Sequence, residues 1–332
     1  MDSNLILVIL VAVALMFDFL NGFHDSANIV ATMISSGAMS PRRALLIASL
    51  AEFSGPFLFG TAVAATIGEG IVSPGAITIG VILAALGSAI VWDLVTWYFG
   101  LPSSSSHALI GGLVGAAVMA ARGIGTIHMT GLLKVVVALF VSPLLGIVGG
   151  YLFMKLVLFL ARGASPRVNA LFKSLQIPTS IALALSHGTN DAQKTMGIIT
   201  MALVTLGLAQ SFAVPVWVIL LCAAAISLGI ATGGWRIIRT LGAGMYRIRP
   251  VHGFSIQLTS SAVILGAALL GGPVSTTQVV SSAIMGVGSA ERLSKVRWSV
   301  AGNILLAWLV TIPASIVMAA IFYLAIQRLF IP

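Results

Sequence analysis

The chain has 332 residues, of which 59% are hydrophobic and 8% are charged, whereas about a quarter of the residues of soluble domains are charged. This composition excludes an ordinary soluble domain and indicates that lipid is the solvent. The formal net charge of +9 comes from 17 Lys and Arg residues in short clusters between apolar runs, as expected of loops beside a membrane, so nucleic acid is not predicted as a partner. The single cysteine, Cys222, lies in an apolar segment, which excludes a disulfide framework.

Long apolar runs follow one another along the whole chain. A helix that crosses a bilayer needs ~20 predominantly apolar residues, and no basic region precedes the first run, so we predict that this run is retained as a span and is not a cleaved signal peptide. The predicted segments cover residues 4–37, 43–67, 77–99, 102–121, 130–160, 178–207, 213–235, 251–271, 273–290 and 298–328. The pattern predicts an all-α, multi-pass protein of the inner or plasma membrane.

Basic residues are distributed unevenly between the loops. If the N-terminus is outside and each segment crosses once, 13 of the 17 Lys and Arg residues fall on the same side of the membrane. These are Arg42, Arg43, Lys155, Arg162, Arg167, Lys173, Arg236, Arg239, Arg247, Arg249, Arg292, Lys295 and Arg297. Because positively charged loops remain in the cytoplasm, both termini are predicted to lie outside.

Two short passages recur in the same order in the two halves of the chain. Residues 22–28 (GFHDSAN) resemble residues 188–194 (GTNDAQK) at an offset of 166. Residues 102–107 (PSSSSH) resemble residues 273–278 (PVSTTQ) at an offset of 171. Two matches with nearly the same offset indicate an internal repeat.

The repeat predicts the arrangement of the halves. Because five segments per half is an odd number, the second half starts on the opposite face of the membrane from the first. We therefore predict two inverted repeats, as in many secondary transporters. They cover residues 1–160 and 178–332, and a basic cytoplasmic linker at residues 161–177 joins them.

Five of the eight acidic residues lie within apolar segments. Each would cost at least ~2.5 kcal/mol at a lipid-facing helix centre, so each is expected to face a polar interior or a partner. They are Asp18, Asp25, Glu52, Asp93 and Asp191. Asp25 and Asp191 belong to the repeated passages, which favours a functional role for both; structural pairing stays open for the other three.

The segments that carry these two repeated acids are too long for a simple crossing. A helix over residues 4–37 would extend about 50 Å, and residues 178–207 repeat its pattern. We predict a break near the middle of both helices, where unpaired carbonyls line a cavity or bind an ion. The predicted coupling-ion or site-lining residues are Asn21, His24, Asp25, Asn28, Asn190, Asp191 and Lys194. Those whose oxygens suit a hard cation such as sodium are Asp25, Asn28, Asn190 and Asp191.

Hydroxyl side chains gather after a proline in both halves. At the start of a helix, hydroxyls and backbone amides form a good site for a tetrahedral oxyanion. One such copy is usually only a helix N-cap, but two copies in register with the acidic passages favour an anion site at mid-membrane, in a re-entrant-like arrangement. The predicted anion-binding residues are Ser103, Ser104, Ser105, Ser106, His107, Ser275, Thr276, Thr277 and Gln278. A structural role stays open for both His24 and His107.

At these residues the sequence resembles the PiT family of inorganic phosphate transporters, especially its bacterial members. The resemblance covers essentially the whole chain, through NGFHD at 21–25, PSSSSH at 102–107, HGTNDAQK at 187–194 and PVSTT at 273–277. It implies a symporter that imports phosphate with a cation. It also implies that phosphate is held between the hydroxyl motifs, with coupling ions near the acidic passages.

Two residues depart from the pattern of the family. Many bacterial relatives have a histidine where this chain has Gln278, which keeps hydrogen bonding and cannot titrate. Sodium-coupled relatives have an asparagine three residues after the Asn-Asp pair, whereas the second half has Lys194. Because an ammonium beside Asp191 can take the place of one sodium ion, we predict coupling to a proton, or carriage of a divalent metal–phosphate complex, in preference to sodium.

Several alternatives stay open from the sequence. Sulfate has the size of phosphate and makes the same contacts with hydroxyls and amides, so a sulfate permease of the same family is the nearest alternative. A membrane enzyme with His107 as base is disfavoured because adjacent residues on a helix do not face one another. Predicted broken helices favour a carrier over a channel, and no glycine-rich nucleotide loop supports ATP-driven transport. No cofactor is predicted, and the apolar outward faces permit a homodimer.

Overall fold

The computed structural model describes residues 3–330. This part of the chain consists of helices joined by turns and loops, with one isolated β-bridge between Val72 and Ile127. Twelve α-helices follow one another within it. They are α1 (Ser3–Ser35), α2 (Pro41–Leu58), α3 (Ala62–Glu69), α4 (Ile79–Phe99), α5 (Ser105–Ala121), α6 (Met129–Leu160), α7 (Val168–Thr205), α8 (Val216–Thr232), α9 (Trp235–Arg239), α10 (Pro250–Leu269), α11 (Thr276–Glu291) and α12 (Trp298–Phe330). The predicted all-α class is confirmed. The outermost residues of the two predicted repeats, Met1, Asp2, Ile331 and Pro332, lie outside the described residues.

Six helices are long and apolar enough to cross a bilayer. The pair α2 and α3, bent by 75°, and the pair formed by α8 and residues 235–244, bent by 59°, raise the number to eight if each pair is one span. The described residues thus hold six to eight candidate spans, against ten predicted segments. The difference lies in α5 and α11, which have 17 and 16 residues and are shorter than a full crossing.

Large apolar side chains are exposed along α6 and α12. Soluble proteins rarely leave such contiguous apolar surfaces uncovered. In a chain with several spans of this hydropathy, these faces are the ones that contact lipid.

The predicted breaks in the middle of the two long helices are wrong. Helices α1 and α7 run without interruption over 33 and 38 residues. Their central glycines serve packing instead, because a Cβ on Gly22 would lie 2.1 Å from the carbonyl oxygen of Ile226, and one on Gly188 would lie 2.3 Å from that of Glu52. Helix α7 also begins at Val168, so part of the predicted linker at residues 161–177 is helical.

Helices from different halves pack closely on each other. Helix α1 packs on α8, and α2 packs on α7. Each pair has glycines on both sides: a Cβ on Gly229 of α8 would lie 2.0 Å from the carbonyl oxygen of Phe19, and one on Gly55 of α2 would lie 2.4 Å from that of Leu185. Small residues let the backbones approach this closely, and the approach brings α1, α2 and α7 together in the interior.

Replacing Gly229 with alanine is expected to loosen the pair formed by α1 and α8. The new Cβ meets the backbone of α1, which cannot move aside as a side chain can, and overpacking of this kind costs about 1–3 kcal/mol. Gly266→Ala is the matched control, because its Cβ position has nothing within 4 Å. The thermal-unfolding midpoint in detergent should fall for Gly229→Ala and not for Gly266→Ala. Equal midpoints for both variants would contradict the close packing.

The order of elements is the same in the two halves. Each has a long helix, a bent helix pair, a further helix, a non-helical stretch, a short helix and a final long helix. The non-helical stretches, residues 102–104 and 273–275, are buried. Gly100, with a φ of 66°, ends α4 in the left-handed region and turns the chain into the first of them. The inverted relation of the halves stays a prediction.

Candidate functional site

Two carboxylates, from the middle of α1 and the middle of α7, lie close together in the interior. Asp25 and Asp191 are 2% and 1% exposed, and Oγ1 of Thr276 lies 3.1 Å from Oδ2 of each. Thr277 Oγ1 donates to the other oxygen of Asp25 at 2.9 Å. Because one hydroxyl proton cannot satisfy two carboxylates, a cation or a further proton is favoured between them. Both acidic passages and the second hydroxyl motif thus form one site.

The ammonium of Lys194 lies on the other side of Asp191. Its Nζ lies 2.8 Å from Asp191 Oδ1, and it donates to Ser106 Oγ at 2.5 Å and to the carbonyl oxygen of Val274 at 3.1 Å. The three acceptors match the three donors of an ammonium. Lys194 can therefore be buried without an unpaired charge, and it ties both hydroxyl motifs to α7.

One serine of each hydroxyl motif caps a helix. Ser104 Oγ accepts a hydrogen bond from the backbone N–H of His107 at the start of α5, and Ser275 Oγ accepts one from that of Gln278 at the start of α11. The N-cap role that a single copy would suggest is therefore real for these two residues. It also aims the positive end of both helices at the interior.

The other serines of the first motif have different surroundings. Ser103 donates to Thr96 Oγ1 at 2.8 Å, and Ser106 donates to the carbonyl oxygen of Val274 at 3.1 Å. Ser105 Oγ is buried and has no hydrogen-bond partner among residues 3–330. The first motif therefore contacts the second directly, through Ser106 and Val274.

His107 and Gln278 hold equivalent positions in the two motifs and contact each other. Nε2 of Gln278 lies 3.1 Å from Nδ1 of His107. An amide nitrogen only donates, so Nδ1 accepts and the proton of the neutral ring is on its Nε2. This Nε2 is buried without a hydrogen-bond partner in the described part of the chain. His107 thus presents a donor suited to an anion, and Gln278 sets its tautomer.

His24 links Asp25 to the first hydroxyl motif. Its Nδ1 lies 2.9 Å from Asp25 Oδ1, and its Nε2 lies 3.4 Å from Thr96 Oγ1, which accepts from Ser103. The carboxyl oxygens of Asp93, also on α4, are buried and have no hydrogen-bond partner within residues 3–330. His24 and Thr277 therefore contact the same oxygen of Asp25, Oδ1, and together orient this carboxylate.

The predicted asparagines occupy three different places. Asn28 donates from Nδ2 to Thr277 Oγ1 at 3.0 Å, beside the carboxylates. Asn190 instead bonds the non-helical stretch before α11, through the carbonyl oxygen of Gly272 at 3.2 Å and the N–H of Val274 at 3.4 Å. The side chain of Asn21 is buried without a hydrogen-bond partner among the described residues. The structure therefore brings Asn28 to the carboxylates and directs Asn190 to the loop.

Two residues of the site were not among those predicted from the sequence. His187 Nδ1 lies 2.7 Å from Glu52 Oε1, and both side chains are completely buried. On the other side of the ring, Nε2 lies 3.6 Å from Oδ2 of both Asp25 and Asp191. A sequence signal existed for both: His187 precedes Asp191 by four residues and so shares its helix face, and Glu52 is an acid in an apolar segment.

All the predicted site residues are buried, with 4% exposure or less. The site combines donors for an anion, from hydroxyls, an imidazole and an ammonium, with carboxylates for a cation. It can therefore hold an anion and a cation side by side. Because these side chains have almost no contact with solvent in this conformation, exchange of a bound ion requires a conformational change.

Comparison with known proteins identifies the family. The sequence pattern of the phosphate transporter family matches residues 21–319, a stretch that contains every residue of the site. The chain belongs to this family. The resemblance drawn from the sequence motifs is thereby confirmed.

Two bacterial relatives match this family member over almost their whole length. A Bacillus subtilis protein named "Probable low-affinity inorganic phosphate transporter" is 46% identical, with 99% of this chain and 100% of the relative covered. A Rhizobium meliloti protein with the same name is 47% identical, with 98% of each covered. A solved structure named "The sodium-dependent phosphate transporter" superimposes with a TM-score of 0.88 at 26% identity, covering 98% of this chain and 100% of the other.

These matches agree with the helical architecture. The family and its relatives are transporters, which removes the membrane enzyme as an alternative. With six to eight candidate spans in the described residues, the chain is a multi-pass membrane protein.

Proposed function

We propose that this family member is a secondary transporter that imports inorganic phosphate together with a cation. The observation that carries the proposal is the contact of both hydroxyl motifs with the two acidic helices, through Thr276 with Asp25 and Asp191 and through Ser106 with Lys194. Phosphate brings one to two negative charges, and like charges about 4 Å apart repel by ~4 kcal/mol at an effective dielectric of 20. A cation must therefore travel with it. The names of the relatives support the same substrate.

Phosphate is favoured over sulfate by the acceptors at the site. Phosphate keeps protons near neutral pH and can donate a hydrogen bond to a carboxylate, whereas sulfate cannot. Asp25 and Asp191 lie within reach of the same threonine hydroxyls that would contact the anion. A sulfate molecule there would place acceptor against acceptor, which costs affinity.

Lys194 favours a proton, or a divalent metal carried with phosphate, over sodium as the coupling ion. Its ammonium already neutralises Asp191 from 2.8 Å, so Asp191 needs no sodium ion for charge balance, whereas a divalent ion would arrive with the negative charge of the phosphate that it accompanies. The solved relative is sodium-dependent by name, and its chain is 26% identical to this one. The presence of Lys194 is the reason to expect a different ion here.

The proposed architecture follows the same logic. We propose two inverted repeats that rock against each other around the buried site, with both termini outside the inner or plasma membrane. The shared element order of the two halves and the positive-inside distribution of Lys and Arg support this arrangement. A homodimer stays a prediction from the apolar outward faces.

Uptake of radiolabelled phosphate into proteoliposomes tests the function. With the proton and sodium gradients imposed separately, uptake is expected to follow the proton gradient, to proceed without sodium and to persist in excess unlabelled sulfate. Counterflow of labelled phosphate is expected for a carrier and not for a channel.

The outcomes separate the parts of the proposal. Uptake that vanishes without sodium and rises steeply with it at fixed pH would contradict the coupling. Strong competition by sulfate would contradict the substrate. Empty liposomes and liposomes containing an unrelated membrane protein are the controls for leakage.

A further inference from the structure

We propose that Asp25, His187 and Asp191 bind a divalent transition-metal ion, and that Glu52 positions the imidazole for this purpose. The three side chains come from α1 and α7 and are almost completely buried. Each offers one ligand atom, and these atoms all lie within 4.8 Å of one another. This separation suits three ligands around one ion, whose distance from each is about 2.0–2.2 Å.

The imidazole of His187 is aimed at the two carboxylates. Its Nε2 lies 3.6 Å from Oδ2 of Asp25 and 3.6 Å from Oδ2 of Asp191. These distances exceed those of hydrogen bonds, and Nε2 is buried without a hydrogen-bond partner in the described chain. A ring held between two acids at this distance has room for an ion among the three ligand atoms.

Glu52 fixes the tautomer of His187, so that the ring nitrogen facing the two carboxylates carries a lone pair. Its Oε1 lies 2.7 Å from Nδ1 of His187, so Nδ1 carries the proton that Glu52 accepts and Nε2 is left as a ligand. In metal sites, a ligating histidine usually donates its other ring N–H to a carboxylate, which fixes the ring and increases the basicity of the ligand nitrogen. Gly188 permits this contact, because a Cβ there would lie 2.3 Å from the carbonyl oxygen of Glu52.

The ligand set selects the class of ion. One imidazole nitrogen with two carboxylates suits Mn²⁺, Fe²⁺, Co²⁺ or Zn²⁺, whereas sodium, calcium and magnesium prefer sites made of oxygen alone. Lys194 contacts Oδ1 of Asp191 at 2.8 Å, which leaves Oδ2 for the ion. Asp25, Asp191 and Glu52 carry three negative charges and Lys194 carries one positive charge, so the two charges of the ion balance the site.

The role of the bound ion in transport rests on the proposed function, whereas the binding of the ion does not. Three protein ligands leave further coordination positions on the ion open. The second hydroxyl motif lies next to these ligands, because the hydroxyl of Thr276 is 3.1 Å from Oδ2 of both Asp25 and Asp191. A phosphate held by that motif could supply oxygen ligands to the same ion. The ion would then be the cation that accompanies phosphate.

Electron paramagnetic resonance of Mn²⁺ tests the site without a transport assay. Purified full-length protein without an affinity tag is titrated with Mn²⁺ in phosphate-free buffer, and free Mn²⁺ is counted from its solution spectrum. We expect one bound Mn²⁺ per chain and a ¹⁴N coupling in the electron spin echo. His187→Gln should remove the coupling and weaken binding at least ~10-fold, and Glu52→Gln should weaken binding by about 10–100-fold. His128→Gln, at an exposed position, should behave as the wild type.

The wild-type spectrum alone can overturn the proposal. If the protein binds no Mn²⁺, or binds it without nitrogen coupling, His187 is not a ligand. A proton shared between His187 and the two carboxylates is then the alternative for the same geometry. Equal Mn²⁺ binding by His187→Gln and the wild type would also overturn it. Phosphate uptake by the same preparation reports on the proposed function independently, so the failure of one is distinguishable from the failure of the other.

Discussion

Replacing Asp25 with asparagine is expected to reduce phosphate uptake by at least about 30-fold. Asp25 accepts hydrogen bonds from Thr276 and Thr277 and lies 2.9 Å from Nδ1 of His24. An amide would keep the shape, remove the charge and place an N–H₂ group against donors. Losing one partner of a buried, hydrogen-bonded charge costs about 2–5 kcal/mol, and each 1.36 kcal/mol is tenfold in rate. The measurement is the initial rate of uptake into proteoliposomes under a proton gradient.

Two further variants serve as comparisons for Asp25→Asn. Glu69→Gln removes an acid at the exposed end of α3, so it tests whether any lost carboxylate has the same effect, and wild-type uptake is expected. Asp191→Asn is expected to fail like Asp25→Asn, because it also leaves the buried ammonium of Lys194 without its carboxylate. Substantial uptake by Asp25→Asn, in a preparation that elutes as a single species, would show that Asp25 is not part of the transport site.

Much of the architecture could be predicted from the sequence because lipid imposes a simple rule on it. Segments of about 20 apolar residues in a membrane must be helical, since every backbone group needs a hydrogen-bond partner. The segments predicted in this way agree with the observed ends of α4 and α6 to within two residues. The N-cap role of the hydroxyl motifs was also predictable, since a serine directly before a helix commonly caps it. Ser104 and Ser275 do so at positions separated by the predicted offset of 171.

The site was less predictable where contacts join distant parts of the chain. The glycines at 22 and 188 suggested breaks, yet both helices are continuous. Each glycine instead leaves space for the backbone of a neighbouring helix. That need is a tertiary one, and no local pattern encodes it. The contact between Glu52 and His187 spans 135 residues for the same reason. The contact between Gln278 and His107 could not be predicted either, although the two residues hold equivalent positions in the repeat.

Lys194→Asn is expected to change which ion supports uptake. The substitution gives the second half the residue that Asn28 provides in the first and removes the ammonium that contacts Asp191, Ser106 and Val274. Asp191 then faces Asp25 without its compensating charge, and two carboxylates ~4 Å apart repel by ~4 kcal/mol at an effective dielectric of 20. A mobile cation has to supply the missing charge. We expect uptake without sodium to fall at least about 10-fold and an inward sodium gradient to restore part of it.

The measurement is phosphate uptake by Lys194→Asn and the wild type across a series of sodium concentrations at fixed pH. Lys134→Asn, which removes an exposed lysine of α6, is the control and should keep the wild-type dependence. If Lys194→Asn takes up phosphate at the wild-type rate in the absence of sodium, the ammonium has no part in charge compensation. Sodium sensitivity that appears in this variant and in neither of the others would locate the choice of coupling ion in one side chain of α7.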